Sequence, residues 1–501
     1  MDEHCQHLQS QRRSADTTAS AMPVRPGPGT VGAGTSRDSR GGDAPSATEQ
    51  FFAHSTARRI NTDSVMASAL KRQYPSLKLS IVPQFSADLL SFAGSGLARA
   101  TPLEDEAPGT LSWKFYVPPA RRLDGFPGGV AKSVVFGKFV YRWSEHDFIV
   151  YLVDGRDGTS AYPQVLNYYI LSAGEAVAEA LIMAAGKWAN ELREEIWVFD
   201  SGMWTKDAEL YRSVRKASWD AVILDPEMKK ALIDDHLSFF RSRETYAQLK
   251  VPWKRGIIYY GPPGNGKTIS IKAMMNSLYG LESPVPTLYV RTLSSFAGPE
   301  YSIQVIFRRA RQFAPCYLVF EDLDSIVSDG VRSYFLNEVD GLQSNDGIFM
   351  IGSTNHLDRL DPGIAKRPSR FDRKYLFPNP DFGERVAYCR FWQSKLADNK
   401  DVAFPDKLCS AIAGITDKFS FAYMQEAFVA ALLAIARKGR PDALARDMQV
   451  LTVDAAGDWV EVLGRSAARE DPDLDRLVLW AEIQKQIKFL REGMDEENRG
   501  E

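Results

Sequence analysis

The sequence predicts an α/β architecture: a parallel sheet flanked by helices and followed by a helical lid, preceded by a small α+β domain and a disordered tail. Three observations carry that prediction. Short apolar strands alternate with helical stripes over residues 219–381, the order that builds a parallel sheet with helices on both faces. A glycine-rich turn with the pattern GxxxxGK[ST] stands between one of these strands and the next helix. Beyond Pro380 strand patterns stop and only helical ones remain.

Taken in chain order, residues 1–70 form the predicted tail. Up to about residue 65 they hold Pro26 to Gly29 as Pro-Gly-Pro-Gly and few large apolar side chains, too little to offset the entropy of ordering. Residues 71–218 form the small α+β domain. Within it, 134–140 and 148–153 read as paired strands around a polar turn, 174–192 as an alanine-rich helix and 196–199 as a short strand. In the domain at 219–381, residues 257–260, 287–290, 317–320 and 349–353 are apolar strands. Ile271, Met274, Met275 and Leu278 make one helical stripe between them, and Ile303, Ile306, Phe307 and Ala310 another. The lid, 382–465, carries helices at 386–396 and 421–437. Residues 466–501 hold a last helix with Asp471 as N-cap, Pro472 in its first turn and Gly493 as its stop. Its stripe of Leu477, Trp480, Ile483, Ile487 and Leu490 is expected to pack on the lid.

At 501 residues, 44% hydrophobic and 25% charged, the chain is of ordinary globular composition and long enough for about three domains. A net charge of -3 excludes a global positive field, so neither a nucleic acid nor an anionic membrane is an expected partner. Cys5, Cys316, Cys389 and Cys409 are far apart, with no pattern of a disulfide scaffold or zinc site, and read as reduced intracellular thiols. The most apolar stretch, 168–189, is interrupted by Glu175 and Glu179 and reads as a buried helix, so no membrane span is expected. A cytoplasmic location follows. Arg12, Arg13, Arg25, Arg37 and Arg40 among serines leave a mitochondrial presequence as the alternative, although Asp2 and Glu3 count against it.

The chemistry concentrates at the ends of the strands. Gly261, Pro262, Pro263, Gly264, Asn265, Gly266, Lys267 and Thr268 form a P-loop, with Ile269 continuing into the helix. Its glycines let backbone N–H groups wrap phosphates at the positive end of the helix. Lys267 is expected to reach the β- and γ-phosphates of ATP and Thr268 to complete the shell of Mg²⁺. The strand at 317–320 ends in Glu321 and Asp322, where a metal carboxylate and a water-activating base belong. The order is the reverse of the usual Asp then Glu. Glu321 is therefore assigned to the Mg²⁺ shell and Asp322, shorter than the usual base, to the attacking water, with slow hydrolysis a consequence. Asn355, at the tip of the next strand, is placed to bond the γ-phosphate and the water, while His356 reads as a surface residue.

Residues 349–373, FMIGSTNHLDRLDPGIAKRPSRFDR, together with FLNEVDGL at 335–342, resemble the second homology region of AAA ATPases. That resemblance implies a hexameric or heptameric ring acting on a protein client. It also implies that Arg367 and Arg370 reach the γ-phosphate held by the neighbouring subunit. WDAVIL at 219–224, WKRG at 253–256, the Glu-Asp order and TNHLDRLDP at 354–362 are similar to the branch that contains the mitochondrial chaperone translocating the folded Rieske protein. IWVFDSGMW at 196–204 falls where that branch joins its own N-domain to the ATPase. The stretch equivalent to that chaperone's membrane anchor is polar here, so membrane residence and the Rieske substrate are not carried over. Phe296, in Phe296-Ala297-Gly298, sits where translocating members carry an aromatic pore loop. In the lid, Phe419 to Ala422 replaces the Gly-Ala pair of many AAA proteins, with no sensing arginine. The functional expectation is an ATP-dependent protein-remodelling ATPase. The rival is a slow or inactive ATPase serving as a nucleotide-gated scaffold, and a nucleic-acid motor is disfavoured for want of basic and aromatic strips.

Overall fold

The computed structural model describes residues 48, 50, 53, 61–103, 109–119, 125, 127–155, 166–341, 343–365, 370–399, 402–438 and 473–500, with backbone alone at 362, 365, 438 and 495–500. Nearly all of the predicted tail, Cys5, Arg367 and the capping pair Asp471 and Pro472 lie outside these residues. The chain divides into two compact units, Met1–Ala189 and Asn190–Glu501.

The first unit is built on antiparallel pairing. Helix α1 (Thr62–Gln73) leads into β1 (Lys78–Pro83), α2 (Leu89–Gly94), β2 (Arg99–Pro102), β3 (Leu111–Val117), β4 (Gly129–Trp143), β5 (His146–Asp154), β6 (Leu166–Ser172) and α3 (Glu175–Asn190). The strand order is β1-β6-β5-β4-β2, with β3 on the first half of β4. The two predicted strands are β4 and β5, longer than expected, and Ser144 turns between them at φ 53°. Ala178, Leu181 and Ala185 of α3 pack with Phe92 on Tyr168 and Ile170. Helix α1 overturns the tail prediction over residues 62–70, and its Asn61 cap accepts the Ser64 N–H at 2.9 Å. The stabilising contact is Leu70, buried with Tyr151, Tyr169 and Leu171.

The second unit holds the predicted parallel sheet. Strands β7 (Ile196–Asp200) and β8 (Met203–Asp207) are followed by α4 (Ala208–Arg215), α5 (Pro226–Arg241), α6 (Arg243–Leu249), β9 (Arg255–Tyr260), α7 (Lys267–Tyr279), β10 (Thr287–Val290) and α8 (Pro299–Phe313). Then come β11 (Cys316–Phe320), α9 (Leu323–Ile326), α10 (Arg332–Asp340), β12 (Ile348–Thr354), α11 (Pro362–Ala365) and β13 (Arg373–Leu376). The order is β13-β9-β12-β11-β10-β7-β8, parallel except for the β7–β8 hairpin. This moves the 196–199 strand out of the N-terminal domain: Leu288 pairs Trp197 and Val290 pairs Phe199. The reason is burial on both faces. Ile196 and Val198 face one core layer while Trp197 and Phe199 face the other, which suits an inner strand of an α/β sheet rather than a linker.

The lid comprises α12 (Phe382–Lys395), α13 (Asp406–Ile415), α14 (Phe421–Lys438) and α15 (Val478–Gly500). Asp381 and Glu384 form a reciprocal capping box at the start of α12. Trp480, Ile483 and Ile487 of α15 enter the lid core beside Cys409, Ile412 and Phe428, with Leu477 and Leu490 against its edge, as the stripe predicted. Gly493 does not stop the helix, which runs to Gly500. An interior glycine costs only about 1 kcal/mol, and the next residue, Met494, packs against the lid core.

Under the parallel sheet, α5 buries His236 completely. Its Nδ1–H donates to the Leu232 carbonyl at 2.7 Å, so Nε2 accepts from the Tyr317 hydroxyl at 3.2 Å, and the ring stacks on Phe349 at 4.4 Å. Burial pushes its pKa down from 6.5 to about 4. A base held neutral when folded protonates more readily when unfolded, so the stabilisation is complete above pH 6.5 and is lost as the pH falls toward 4. In thermal or denaturant unfolding, wild type is expected to lose on the order of 3 kcal/mol more than a His236→Gln variant across that window. Parallel pH profiles for the two proteins would refute this.

Candidate nucleotide site

The site is assembled where β9, β11 and β12 end. Thr354 stands opposite Tyr260, so Asn355 leaves the sheet beside Gly261, and Phe320 stands opposite Gly352, so Glu321 and Asp322 emerge one strand further on. Gly261 turns out of β9 at φ 138°, where a Cβ would lie 2.3 Å from the Phe377 carbonyl oxygen. Gly264 has φ 77°, and a Cβ there would meet the Ala422 Cβ at 2.4 Å. These two positions admit only glycine, for conformation and for space alike.

The loop is tied down on two sides. Asn265, almost fully buried, donates to Asn379 Oδ1 at 2.8 Å, and its own oxygen accepts the Phe421 N–H at 3.4 Å. The Ala422 N–H donates to the Gly264 carbonyl at 3.2 Å, and Asn379 reaches the Lys418 carbonyl at 3.2 Å. The segment that lacks both the Gly-Ala pair and an arginine therefore touches the phosphate loop through its backbone. Pro262, Pro263, Thr268 and Ile269 are exposed.

Lys267 begins α7 with 7% of its surface exposed, and its Nζ donates to the carbonyls of Gly261 at 2.7 Å and Pro262 at 2.9 Å. Burial lowers its pKa, opposed by the negative charges of Asp322 and Asp324. Asp322 sits in the left-handed region at φ 50° with its side chain exposed, and its N–H donates to Ser353 Oγ at 3.3 Å. Asp324 accepts from Thr354 Oγ1 at 2.6 Å, and that hydroxyl in turn accepts the His356 N–H at 3.0 Å. Glu321 leans the other way, toward β10: its Oε2 accepts from the Tyr289 hydroxyl, while its buried Oε1 has no hydrogen-bond partner among the described residues. The lysine, Asp322 and Asp324 are thus brought together, with Asn355 at the neighbouring strand end. His356 is exposed, as expected.

Two predicted residues behave differently. Arg370 does not project from its own chain. It is 6% exposed and paired with Asp340 through Nε at 2.7 Å and Nη2 at 2.6 Å, while Nη1 donates to the Gly363 carbonyl at 2.7 Å. Its acidic partner is Asp340 on α10, not the nearby Asp372. Phe296 is fully exposed on the loop between β10 and α8. That loop rests on the β7–β8 turn, where a Cβ on Gly202 would lie 2.6 Å from Ser295 Cβ. Tyr289 was not foreseen, because a tyrosine in a four-residue apolar strand reads as core. Asn379 was missed for a similar reason, standing between prolines in what reads as a linker.

Residues 257–379 match the family model described as ATPase family associated with various cellular activities (AAA). The chain carries an AAA ATPase domain. Over 238 residues it is 33% identical to the ATP-dependent zinc metalloprotease FtsH of Acidothermus cellulolyticus, a match covering 44% of this chain and 34% of that protein. The chain therefore spans about a third of the length of this relative. An AAA domain binds nucleotide, and the residues present fit a magnesium triphosphate: a glycine cradle with no room for side chains, one buried ammonium, and a carboxylate oxygen left without a partner.

Because the Gly264 contact is with Ala422 Cβ and the residue has positive φ, a Gly264→Ala variant is expected to lose at least about tenfold in ATP affinity through distortion of the loop. Fluorescent-nucleotide titration measures this, and wild-type affinity in the variant would show that the loop yields.

Proposed function

We propose that the chain is an ATP-dependent protein-remodelling AAA ATPase that hydrolyses ATP with Mg²⁺ in a ring oligomer. The observation that carries this reading is the seat of Lys267, buried between the P-loop carbonyls, facing Asp322 and Asp324, in a loop bonded directly to the lid. Such a loop couples the state of the phosphates to the position of the lid. In this reading the P-loop amides and Lys267 hold the β- and γ-phosphates, Thr268 and Glu321 hold the metal's shell, and the metal supplies charge neutralisation of the phosphates. Asp322 accepts the proton of the attacking water, and Asn355 orients it. Arg367 and Arg370 complete the neighbouring subunit's site, Arg370 only after exchanging Asp340 for phosphate. The exposed Phe296 loop meets a protein client. The likeness of residues 219–373 to the Rieske-chaperone branch supports a client handled as protein rather than nucleic acid. It does not name one.

A second reading, a nucleotide-gated scaffold with little turnover, is favoured by two particulars: the short Asp322 in the base position and the inward ion pair of Arg370.

Steady-state ATP hydrolysis across a protein concentration series decides between them. Specific activity should rise with concentration, and Lys267→Ala should lower it by about a hundredfold or more. Asp322→Glu should raise turnover by extending the base toward the water, and a fall would remove Asp322 from that role. Arg370→Ala should collapse turnover by roughly a thousandfold with ATP binding retained. Tight ATP binding without turnover at any concentration would leave the scaffold.

A further inference from the structure

We propose that Tyr289 is a positioning residue for Glu321: its phenol holds one carboxylate oxygen so that the other is presented to the water shell of the magnesium ion that accompanies ATP. The inference rests on the function proposed above. Strand β10 runs parallel to β11 with Tyr289 opposite Val319, so its side chain reaches forward along the sheet to the first residue beyond β11. There the hydroxyl donates to Glu321 Oε2. Oε1 is buried and has no protein partner among the described residues. A buried carboxylate oxygen with open lone pairs is costly unless a ligand completes it, and the two acids line one cleft of about 530 Å³ with Tyr289, Arg291, Thr292 and Ser325.

Chemistry gives Glu321 a need for this brace. A glutamate carries one more rotatable bond than the aspartate usual at this position, and ordering that bond costs conformational entropy. A hydrogen bond from a neighbouring strand restricts the carboxylate at no cost in charge. A lysine in the same place would neutralise the carboxylate and weaken its hold on a cation, whereas a phenol leaves the full negative charge available.

The test uses the full chain and a Tyr289→Phe variant, which keeps the ring and removes only the donor. Fluorescent-ATP binding is titrated with Mg²⁺, alongside binding in EDTA. The magnesium concentration at half-saturation should rise roughly tenfold, the effect of losing one hydrogen bond to a charged group, while affinity in EDTA stays unchanged. Glu321→Asp, which withdraws the carboxylate from the phenol without altering aromatic packing, should move the same midpoint in the same direction. An unchanged or lowered magnesium midpoint in Tyr289→Phe would overturn the proposal, as would equal losses with and without magnesium. Absence of nucleotide binding in wild type would instead overturn the functional reading and this inference with it.

Discussion

The site depends first on a lack of space. At Gly261 the chain passes so close to the Phe377 carbonyl, and at Gly264 so close to Ala422, that no side chain fits either position. Phe377 follows β13, and Ala422 belongs to the lid, so the phosphate loop is clamped between the far edge of the sheet and the start of α14. The clamp makes the loop a reporter. Any shift of its backbone toward a bound anion must be transmitted to the lid through the Gly264–Ala422 and Asn265–Phe421 bonds, or else those bonds must break. A helix terminus alone would bind phosphate without such a consequence.

The same clamp explains why a residue as unremarkable in sequence as Asn265 is almost wholly buried. Its amide oxygen and nitrogen face different elements, the lid backbone and Asn379, and the second amide passes the connection on to Lys418. A buried amide pair is stable only when both partners are satisfied. Motion of the lid therefore costs hydrogen bonds at the phosphate loop, so nucleotide binding and lid position are coupled.

Legibility in the sequence followed locality. The parallel sheet was readable because strands buried on both faces are short uniform apolar runs, and the P-loop because its glycines, lysine and threonine lie within eight positions. The stripe from Leu477 to Leu490 was readable because a helix repeats, and it packs on the lid as expected. What failed was long-range. Nothing local says that Ile196–Asp200 pairs with β10, that Asp340 and Arg370 meet across thirty positions, or that Tyr289 points at a carboxylate rather than into the core. Gly493 shows the converse error: a helix-stop signal was read locally and overridden by packing of the residue beside it.

Lys267, Glu321, Asp324 and Arg370 each have an internal partner, and those partners differ in how readily they yield. Lys267 rests on two neutral carbonyls, and a phosphate, as a charged acceptor, forms bonds about twice as strong as those it would replace. Asp324 and Glu321 are held by neutral hydroxyls that orient without neutralising. Of these, Arg370 alone is matched by full opposite charge in bidentate geometry, so separating it from Asp340, a carboxylate 40% exposed, costs more than releasing a neutral acceptor. The hierarchy imposes an order. Nucleotide can enter and recruit the lysine within one chain, whereas the proposed release of the arginine toward another chain would require a compensating anion already in place. In the ring proposed above, a site arranged this way would bind ATP before assembly and delay hydrolysis until a neighbour's phosphates are presented, because only then would breaking the Arg370–Asp340 pair return more than it costs.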